Sequence, residues 1–259
     1  MTNTRSRAAL LAACIPVLTL LVVQTANAQD SEIHILCSNG FRAAMVKLVP
    51  EGKRVAGHPV KIEFGPSANF KRAIDGGQTF DLVVLTPQIV EDLTKAGKIA
   101  AGTSVDLASS GIGIAVRAGQ PKPDVSNAQA VKKLLLDTKS IGYVKVGAGT
   151  PAITDMLTRL GISADVERKT AFQEGAEPSM KNVASGQIDV AFALISEIVP
   201  APGVQLAGPV PSEFQRKIIL TAGISSTTKN RHALDEIVKK LTSASAAPAI
   251  KSAGLEPIH

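Results

Sequence analysis

The sequence predicts an α/β protein of two units, each a mainly parallel sheet flanked by helices. Short runs of β-branched and aliphatic residues alternate with helical patterns, as in βαβ units. The alternation occurs twice along the chain, and the segments left at the end are helical. A chain of 259 residues is also long enough to bury one or two hydrophobic cores.

The first alternation runs from residue 32 to residue 97. Pro87 suits the first position of a helix, and Gly97 is a typical helix end. The predicted strands are Glu32–Cys37, Val60–Gly65 and Asp81–Thr86, and the helices that follow them begin near Phe41, near Asn69 and at Gln88. This order places three parallel strands in one sheet.

The second alternation begins at residue 112 and supplies the other sheet. Its predicted strands are Ile112–Val116, Ile141–Val146, Ala164–Arg168 and Ile188–Leu194, and its helices are one capped by Ser126 through Leu136, Pro151–Leu160 and Glu177–Ala184. After a Pro/Gly-rich connection from Pro200 to Pro211 come a strand, Lys217–Ile224, and helices at about Arg231–Thr242 and Ala244–Ala253. We therefore expect a discontinuous first lobe, residues 29–112 plus 218–259, and a second lobe of residues 113–217.

The first 28 residues have the features of a secretory signal peptide. Arg5 and Arg7 precede an apolar stretch, Ala8–Val23, and Ala26-Asn27-Ala28 forms a small-x-small cleavage site. The apolar stretch is shorter than the roughly 20 residues that span a bilayer, and it contains Pro16. We expect cleavage after Ala28 and a periplasmic protein.

A lipid anchor is the alternative to a soluble product. Leu11-Ala12-Ala13-Cys14 resembles a lipoprotein box, but the hydrophobic stretch continues past Cys14. Cleavage after Ala28 leaves 231 of the 259 residues, with 26 Lys and Arg against 22 Asp and Glu, a net charge of +4. This charge suits an anionic ligand. Only Cys37 then remains, which excludes an intramolecular disulfide.

Turns at the ends of predicted strands are the best candidates for a binding site. In open parallel sheets, ligands bind beyond the carboxyl ends of the strands, where helix N-termini favour anions. The chain has no Trp and a single Tyr, Tyr143, so it has few large aromatic rings that could stack on a sugar or a base. A small polar ligand is therefore expected. The candidate residues of the first lobe are Ser38, Asn39, Ser67, Ala68, Asn69 and Thr86. Ser38 and Ser67 can also be read as plain helix caps, and Thr86 as an ordinary helix start.

The turn Gly147–Ala152 is the strongest enzyme-like motif. It matches the loose dinucleotide pattern G-x-G-x-x-A, and Glu167 lies 20 residues after Gly147. The segment is a single βα unit of an exported chain, however, and an anion-binding turn explains the same glycines. On this interpretation Gly149 lies in the turn and Thr150 donates the second lobe's hydroxyl. Ser196 and Glu197 follow the strand Ile188–Leu194 and could close the site.

No residue is predicted to be catalytic, and neither a metal nor a cofactor is expected. Nucleophile-elbow, P-loop, zinc-protease and paired-cysteine motifs are absent. The four histidines, His34, His58, His232 and His259, show no metal-ligand spacing. Arg42, Lys71 and Arg72 follow the two serine turns and could add positive charge to an anion site, or be solvated.

The chain resembles the periplasmic molybdate-binding proteins, type II solute-binding proteins of ABC importers. The resemblance rests on Ile35-Leu36-Cys37-Ser38, Gly65-Pro66-Ser67-Ala68, Phe80-Asp81-Leu82-Val83-Val84 and the Ile188–Leu194 strand. It implies a two-lobed Venus-flytrap fold that closes on a tetrahedral oxyanion held by serine hydroxyls and backbone amides, with Ser38 and Ser67 as the matching donors. It also implies a permease in the inner membrane as partner.

The chain departs from this family's pattern at several positions. Leu194 or a neighbour stands where the family usually has a tyrosine, Pro87 follows Thr86, and Arg42 follows Asn39-Gly40. A di- or tricarboxylate would use Asn39, Asn69 and Arg42 better than molybdate does. Aconitate isomerase is similar to this family, and its allylic proton shift needs a base, for which His34, Glu174 and Glu197 are candidates.

The leading hypothesis is a monomeric periplasmic receptor that captures a small anion between two lobes for ABC-type import and binds no nucleic acid. The alternative is a periplasmic isomerase of a tricarboxylic acid, similar to aconitate isomerase. A surface adhesin is disfavoured because nothing in the chain is repetitive or stalk-like.

Overall fold

The computed structural model describes residues 32–258 except residues 51 and 53. The predicted signal peptide, its cleavage site after Ala28 and the alternative anchor at Cys14 lie outside the described residues. Within residues 32–258, no helix is both long enough and apolar enough to cross a membrane.

The described chain alternates between strands and helices along most of its length. In chain order, the strands are β1 (Ile33–Ser38), β2 (Arg54–Val55), β3 (His58–Gly65), β4 (Leu82–Leu85), β5 (Val105–Ser110), β6 (Ile112–Arg117), β7 (Ile141–Val144), β8 (Thr170–Gln173), β9 (Val190–Leu194), β10 (Val204–Pro209), β11 (Ile218–Ile224) and β12 (Glu256–Pro257). The α-helices are α1 (Arg42–Leu48), α2 (Ser67–Asp75), α3 (Pro87–Lys95), α4 (Ala128–Asp137), α5 (Thr150–Arg159), α6 (Ser163–Glu167), α7 (Ala176–Ser185), α8 (Ile195–Ile198), α9 (Arg231–Leu241) and α10 (Ala247–Ser252), with 3₁₀ turns at Asn39–Phe41 and Ala244–Ala246.

The strands form two separate sheets. The order of the first is β12-β5-β11-β4-β1-β3-β2, and that of the second is β10-β6-β9-β7-β8. The centre of each sheet is parallel, since β1 pairs in parallel with β3 and β4, and β7 with β8 and β9. Strands β11 and β6 run antiparallel to their neighbours, so the sheets are mixed rather than mainly parallel. The fold is the predicted two-lobed α/β fold.

The chain crosses between the sheets twice. Gly111 alone separates β5 of the first sheet from β6 of the second, and the chain returns between Pro209 and Ile218. On the return path, the side-chain amide of Gln215 forms hydrogen bonds with both the backbone N–H and the backbone carbonyl of Ile112. It accepts a hydrogen bond from Ile112 N at 2.7 Å and donates one to Ile112 O at 2.9 Å. The predicted lobe boundary at 112/113 lies one residue after Gly111, inside β6, and that at 217/218 lies at the start of β11. As boundaries between lobes, both stay predictions.

Helices cover both faces of each sheet. In the first sheet, Ile35, Cys37 and Leu220 belong to a core shared with α1, α9 and α10, whereas Leu36 and Val83 pack on the opposite face with α2 and α3. The second sheet likewise has one core beneath α4, α5 and α6 and another beneath α7 and α8. Burial of the Cys37 side chain raises the pKa of its thiol well above the usual range.

One predicted element is wrong and others were missed. Residues Ala164–Arg168 are not a strand, because α6 occupies Ser163–Glu167 with Val166 as its one buried residue, and the strand β8 follows it. Strand β10 lies inside the connection predicted from Pro200 to Pro211. Helix α4 is capped by Asn127, whose side chain accepts a hydrogen bond from Ala130 N at 3.0 Å, and not by Ser126.

Candidate functional site

A small cavity lies where the carboxyl ends of the parallel strands of both sheets meet. Its volume is about 50 Å³, room for roughly three or four water molecules. The ends of five strands and the turns that follow them line the cavity. The lining residues are Ser38 and Asn39 at the end of β1, Pro66 and Ser67 after β3, Val144 and Gly147–Thr150 at the end of β7 and beyond it, Gly175 and Ala176 after β8, and Ala193, Leu194 and Glu197 at the end of β9. Ile153 and Phe192 complete the lining.

Two serines of the first lobe occupy the positions at which hydroxyls were predicted. Ser38 precedes the 3₁₀ turn but makes no capping hydrogen bond with its side chain, and Ser67 is the first residue of α2 rather than its cap. Both residues are buried, and the Ser67 hydroxyl has no hydrogen-bond partner. A buried hydroxyl without a partner costs free energy. Both serines are therefore free to hydrogen-bond a ligand in the cavity.

Three longer helices begin at the cavity wall. Ser67 starts α2, Thr150 starts α5, and Ala176 starts α7. The first backbone N–H groups of α2 and α7 have no partner within the helix, and the helix dipoles add partial positive charge. In α5, Thr150 N and Ala152 N donate to Gly147 O and Gly149 O at 3.1 Å, and Pro151 has no N–H, so this helix contributes through its dipole. Asn39 contributes a side-chain amide whose NH₂ group can donate to an anion, while its oxygen, buried without a partner, is an acceptor. The wall thus favours negative charge without the help of a cation.

The glycine turn Gly147–Thr150 lines the cavity, but Thr150 uses its hydroxyl inside the turn. The hydroxyl donates to Val144 O at 2.6 Å and accepts from Gly147 N at 3.0 Å. Thr150 therefore braces the turn instead of offering its proton to a ligand. The cavity volume of about 50 Å³ is far below the roughly 300 Å³ or more that is typical of pockets for drug-sized ligands, so the cavity gives the dinucleotide interpretation no support.

Glu197 is the one ionisable residue among those lining the cavity. Its Oε2 atom accepts a hydrogen bond from Leu194 N at 3.1 Å. Part of the residue keeps contact with solvent, but burial of the carboxyl group raises its pKa to about 7, against the lowering effect of the Leu194 hydrogen bond. The carboxyl group is thus divided between its neutral and ionised forms near pH 7.

Four of the predicted site residues lie outside the lining. Asn69 accepts a hydrogen bond from Arg72 at 2.6 Å, while Ala68 and Thr86 do not reach the cavity. Ser196 is buried with its hydroxyl unpartnered, 3.8 Å from the point where a side chain on Gly40 would begin. The residues that do line it are Ser38, Asn39, Ser67, Gly149 and Thr150.

Most of the charged candidates named from the sequence lie away from the cavity. His34 pairs with Glu63 at 2.9 Å, and Glu174 is exposed outside the lining. The Arg42 guanidinium lies over the ring of Phe64, 4.3 Å from its centroid. Of the three candidate bases, only Glu197 lies at the cavity.

Sequence reasoning missed Gly175 and Ala176. They follow β8, and the misplacement of that strand onto residues 164–168 hid the turn that comes after it. Had Thr170–Gln173 been identified as the strand, the same rule that found Ser38 would have found Gly175. Among the described residues, no group of three or more His, Cys, Asp or Glu side chains is arranged to hold a metal ion.

Comparisons with known proteins find similarity along nearly the whole chain. Aconitate isomerase from a Pseudomonas species is 28% identical over 255 residues, which cover 96% of this chain and 94% of that protein. The molybdate-binding protein ModA of Azotobacter vinelandii is 23% identical over 231 residues, covering 88% of this chain and 90% of ModA. The structure of the periplasmic molybdate-binding protein of Azotobacter vinelandii has the same fold, with a TM-score of 0.70 at 19% identity over 86% of this chain and 98% of that one.

A family model extends these pairwise similarities over nearly the whole described chain. The model, described as bacterial extracellular solute-binding protein, matches residues 33–256. That span runs from the first residue of β1 into β12 and includes every turn that lines the cavity. The resemblance to molybdate-binding proteins is thereby confirmed, and the chain belongs to the bacterial extracellular solute-binding protein family.

Proposed function

We propose that this protein captures a small anion, an oxyanion or a carboxylate, in the cavity between its two sheets and delivers it to an ABC-type permease of the inner membrane. The observation that carries this proposal is the Ser67 hydroxyl, which is buried without a partner at a cavity wall where α2, α5 and α7 begin. The molybdate-binding name of one relative supports an anion as the ligand.

The proposal is tested by anion binding to a chain that begins at Gln29. Thermal unfolding is followed with molybdate, tungstate, sulfate, phosphate, citrate and both aconitate isomers. A ligand at 100 times its dissociation constant adds about 2.7 kcal/mol to the free energy of unfolding. We expect at least one of these anions to stabilise the protein, and the absence of any stabilisation contradicts the proposal.

Serine variants test the position of the site. Loss of one hydrogen bond to a charged ligand costs about 1.5–3 kcal/mol, so Ser38→Ala and Ser67→Ala should each weaken binding by about ten-fold or more, measured by calorimetry. Ser104→Ala is the matched control, because Ser104 is exposed and lies outside the cavity lining. If both cavity variants bind as tightly as the control, the site is wrong.

An isomerase is the second candidate function, and Glu197 is the observation that favours it. A carboxyl group with a pKa of about 7 on a cavity wall is suited to general base catalysis near neutral pH. In an allylic shift, it would take a proton from the methylene carbon of cis-aconitate while the double bond moves toward that carbon, and return the proton to the former vinyl carbon. The similarity to aconitate isomerase supports this candidate.

Proton NMR separates the two candidates. The isomerase converts cis- to trans-aconitate, and Glu197→Gln, which keeps the shape but not the basicity of the side chain, abolishes the conversion. A receptor binds without conversion. If the wild-type protein leaves cis-aconitate unchanged at catalytic and at stoichiometric concentrations, the isomerase is rejected.

A further inference from the structure

A much larger groove adjoins the anion cavity. It lies between α1 and α7, is closed at one side by Pro200, Ala201 and Pro202, and has a volume of about 860 Å³. Grooves of this size accommodate the bodies of organic molecules. A tetrahedral inorganic ion is too small to fill a groove of this volume.

The groove is lined largely by apolar side chains. They come from one face of each helix and from the loop after α8: Ala43, Val46, Met180, Ala184 and Ala201. Val46 is 49% exposed, which leaves a large hydrophobic side chain facing solvent. Covering apolar surface of this kind with an apolar ligand is favourable in proportion to the area removed from water.

The cavity and the groove meet at the same residues. Asn39, Ala176 and Glu197 line both spaces, so the cavity and the groove lie side by side with these three residues between them. A molecule that extends past these side chains would reach from one space into the other.

The charged side chains at the groove already have partners. Glu177 accepts a hydrogen bond from Lys181 at 2.9 Å and lies 4.0 Å from Arg42. Lys47 donates to the Ser252 hydroxyl at 2.9 Å. Because these cations are engaged, the groove suits an uncharged body better than a second anionic group.

We propose that the ligand is an amphiphilic organic anion, with its charged head group in the cavity and an aliphatic or aromatic body in the groove. This inference rests on the proposed function, because it takes the cavity as the site of the anionic group.

Two homologous series test the inference by calorimetry: alkylphosphonates from methyl to hexyl, and straight-chain carboxylates from acetate to heptanoate. Burial of each added methylene should tighten binding about four-fold in at least one series until the groove is filled. Affinity that is independent of chain length in both series overturns the inference and leaves anion capture intact. If neither series binds, and none of the inorganic anions, citrate or the aconitates binds either, capture itself is contradicted.

A groove variant and a matched control locate the effect. Val46→Gln introduces a polar side chain into the groove at an exposed position of α1. The control, Leu136→Gln, makes the same kind of change on α4, because Leu136 is 42% exposed and lies outside the groove. We expect Val46→Gln to reduce the affinity for the longest chain by about three-fold or more, with the shortest member and the control unchanged. An equal effect of the two variants on the longest chain overturns the assignment of the groove.

Discussion

Glu197 places an acidic group on a cavity wall that the neighbouring helices otherwise prepare for an anion. When ionised, it repels a bound anion, and when neutral, it can donate a hydrogen bond to one. With a pKa of about 7, both forms are populated in the physiological range. An anion beside the carboxyl group raises this pKa further, so binding is coupled to proton uptake above neutral pH.

The same carboxyl group makes stability depend on pH. Its pKa is about 7 in the folded protein and about 4.5 in the unfolded chain, so the folded state holds the proton more tightly. The stabilisation is fully present below pH 4.5 and is lost as pH rises toward 7. We expect the free energy of unfolding to fall by about 2–3 kcal/mol from pH 4.5 to pH 8 in the wild type, relative to Glu197→Gln.

Urea titrations at four pH values measure this difference. Glu197→Gln keeps an oxygen that can accept the hydrogen bond from Leu194 N, so the fold is preserved while the titrating group is removed. Parallel pH profiles for wild type and variant would show that Glu197 does not titrate in this range.

The sequence predicted single site residues well where a hydroxyl directly follows a strand. Ser38 and Ser67 were found because parallel strands end at one edge, and both line the cavity. Thr86 follows the same rule but does not line the cavity, because the rule gives the edge of the sheet and not the part of it that faces the second lobe. The use of the Thr150 hydroxyl inside its own turn depends on backbone geometry, which residue type alone does not specify.

At the scale of elements, Gln215 ties the two crossings between the sheets together. A side chain on Gly111 would begin 3.2 Å from the Gln215 amide, so the crossing strand and the Gln215 side chain fit closely. Ile112 N, in a residue that is 1% exposed, has the Gln215 side chain as its acceptor. Ile112 O also accepts from Val210 N at 3.0 Å and would keep one partner without Gln215.

Removal of this amide should destabilise the protein. Gln215→Ala leaves Ile112 N buried without an acceptor, which costs about 1–3 kcal/mol. Chemical denaturation measures the loss, with Gln88→Ala as control because the Gln88 side chain donates only to Asp92 on the exposed face of α3. Equal stabilities of the two variants would contradict a bracing role for Gln215.

Prediction of the elements depended on the contrast between apolar and polar residues. Strands β1, β4 and β9 are largely apolar, and β3 alternates Val60, Ile62 and Phe64 with polar residues. All four strands were placed within about two residues. Strand β5 was missed because it carries Asp106, Ser109 and Ser110, and tertiary hydrogen bonds stabilise two of these polar groups. Thr221 donates to Asp106 at 2.6 Å, and Ser110 accepts from Ser196 N at 3.1 Å.

At the scale of the whole molecule, the cavity depends on both sheets, since turns after β1 and β3 meet turns after β7, β8 and β9. A ligand in the cavity contacts groups from both lobes, and contacts made only when the lobes are close together favour the closed arrangement.

The two-lobed α/β class could be predicted from the repeated alternation. The antiparallel course of β6 and β11 could not, because strand direction follows from where the crossings place the chain.

Export of the chain predicts a defined N-terminus. We expect the protein recovered from the periplasm to begin at Gln29-Asp30-Ser31, as Edman sequencing or intact mass would show. An N-terminus at Cys14 carrying lipid, with the protein in the membrane fraction, would support the lipoprotein box instead. The family of extracellular solute-binding proteins is consistent with either form of export.

Cys37 has a practical consequence for following the ligand. In a chain that begins at Gln29 it is the sole thiol, and its burial together with its raised pKa makes it a poor nucleophile. A fluorophore can therefore be attached selectively to a cysteine introduced at the exposed rim of the groove, without first removing the native one. A protein labelled in this way would report ligand capture as a change in emission and serve as a reagentless sensor.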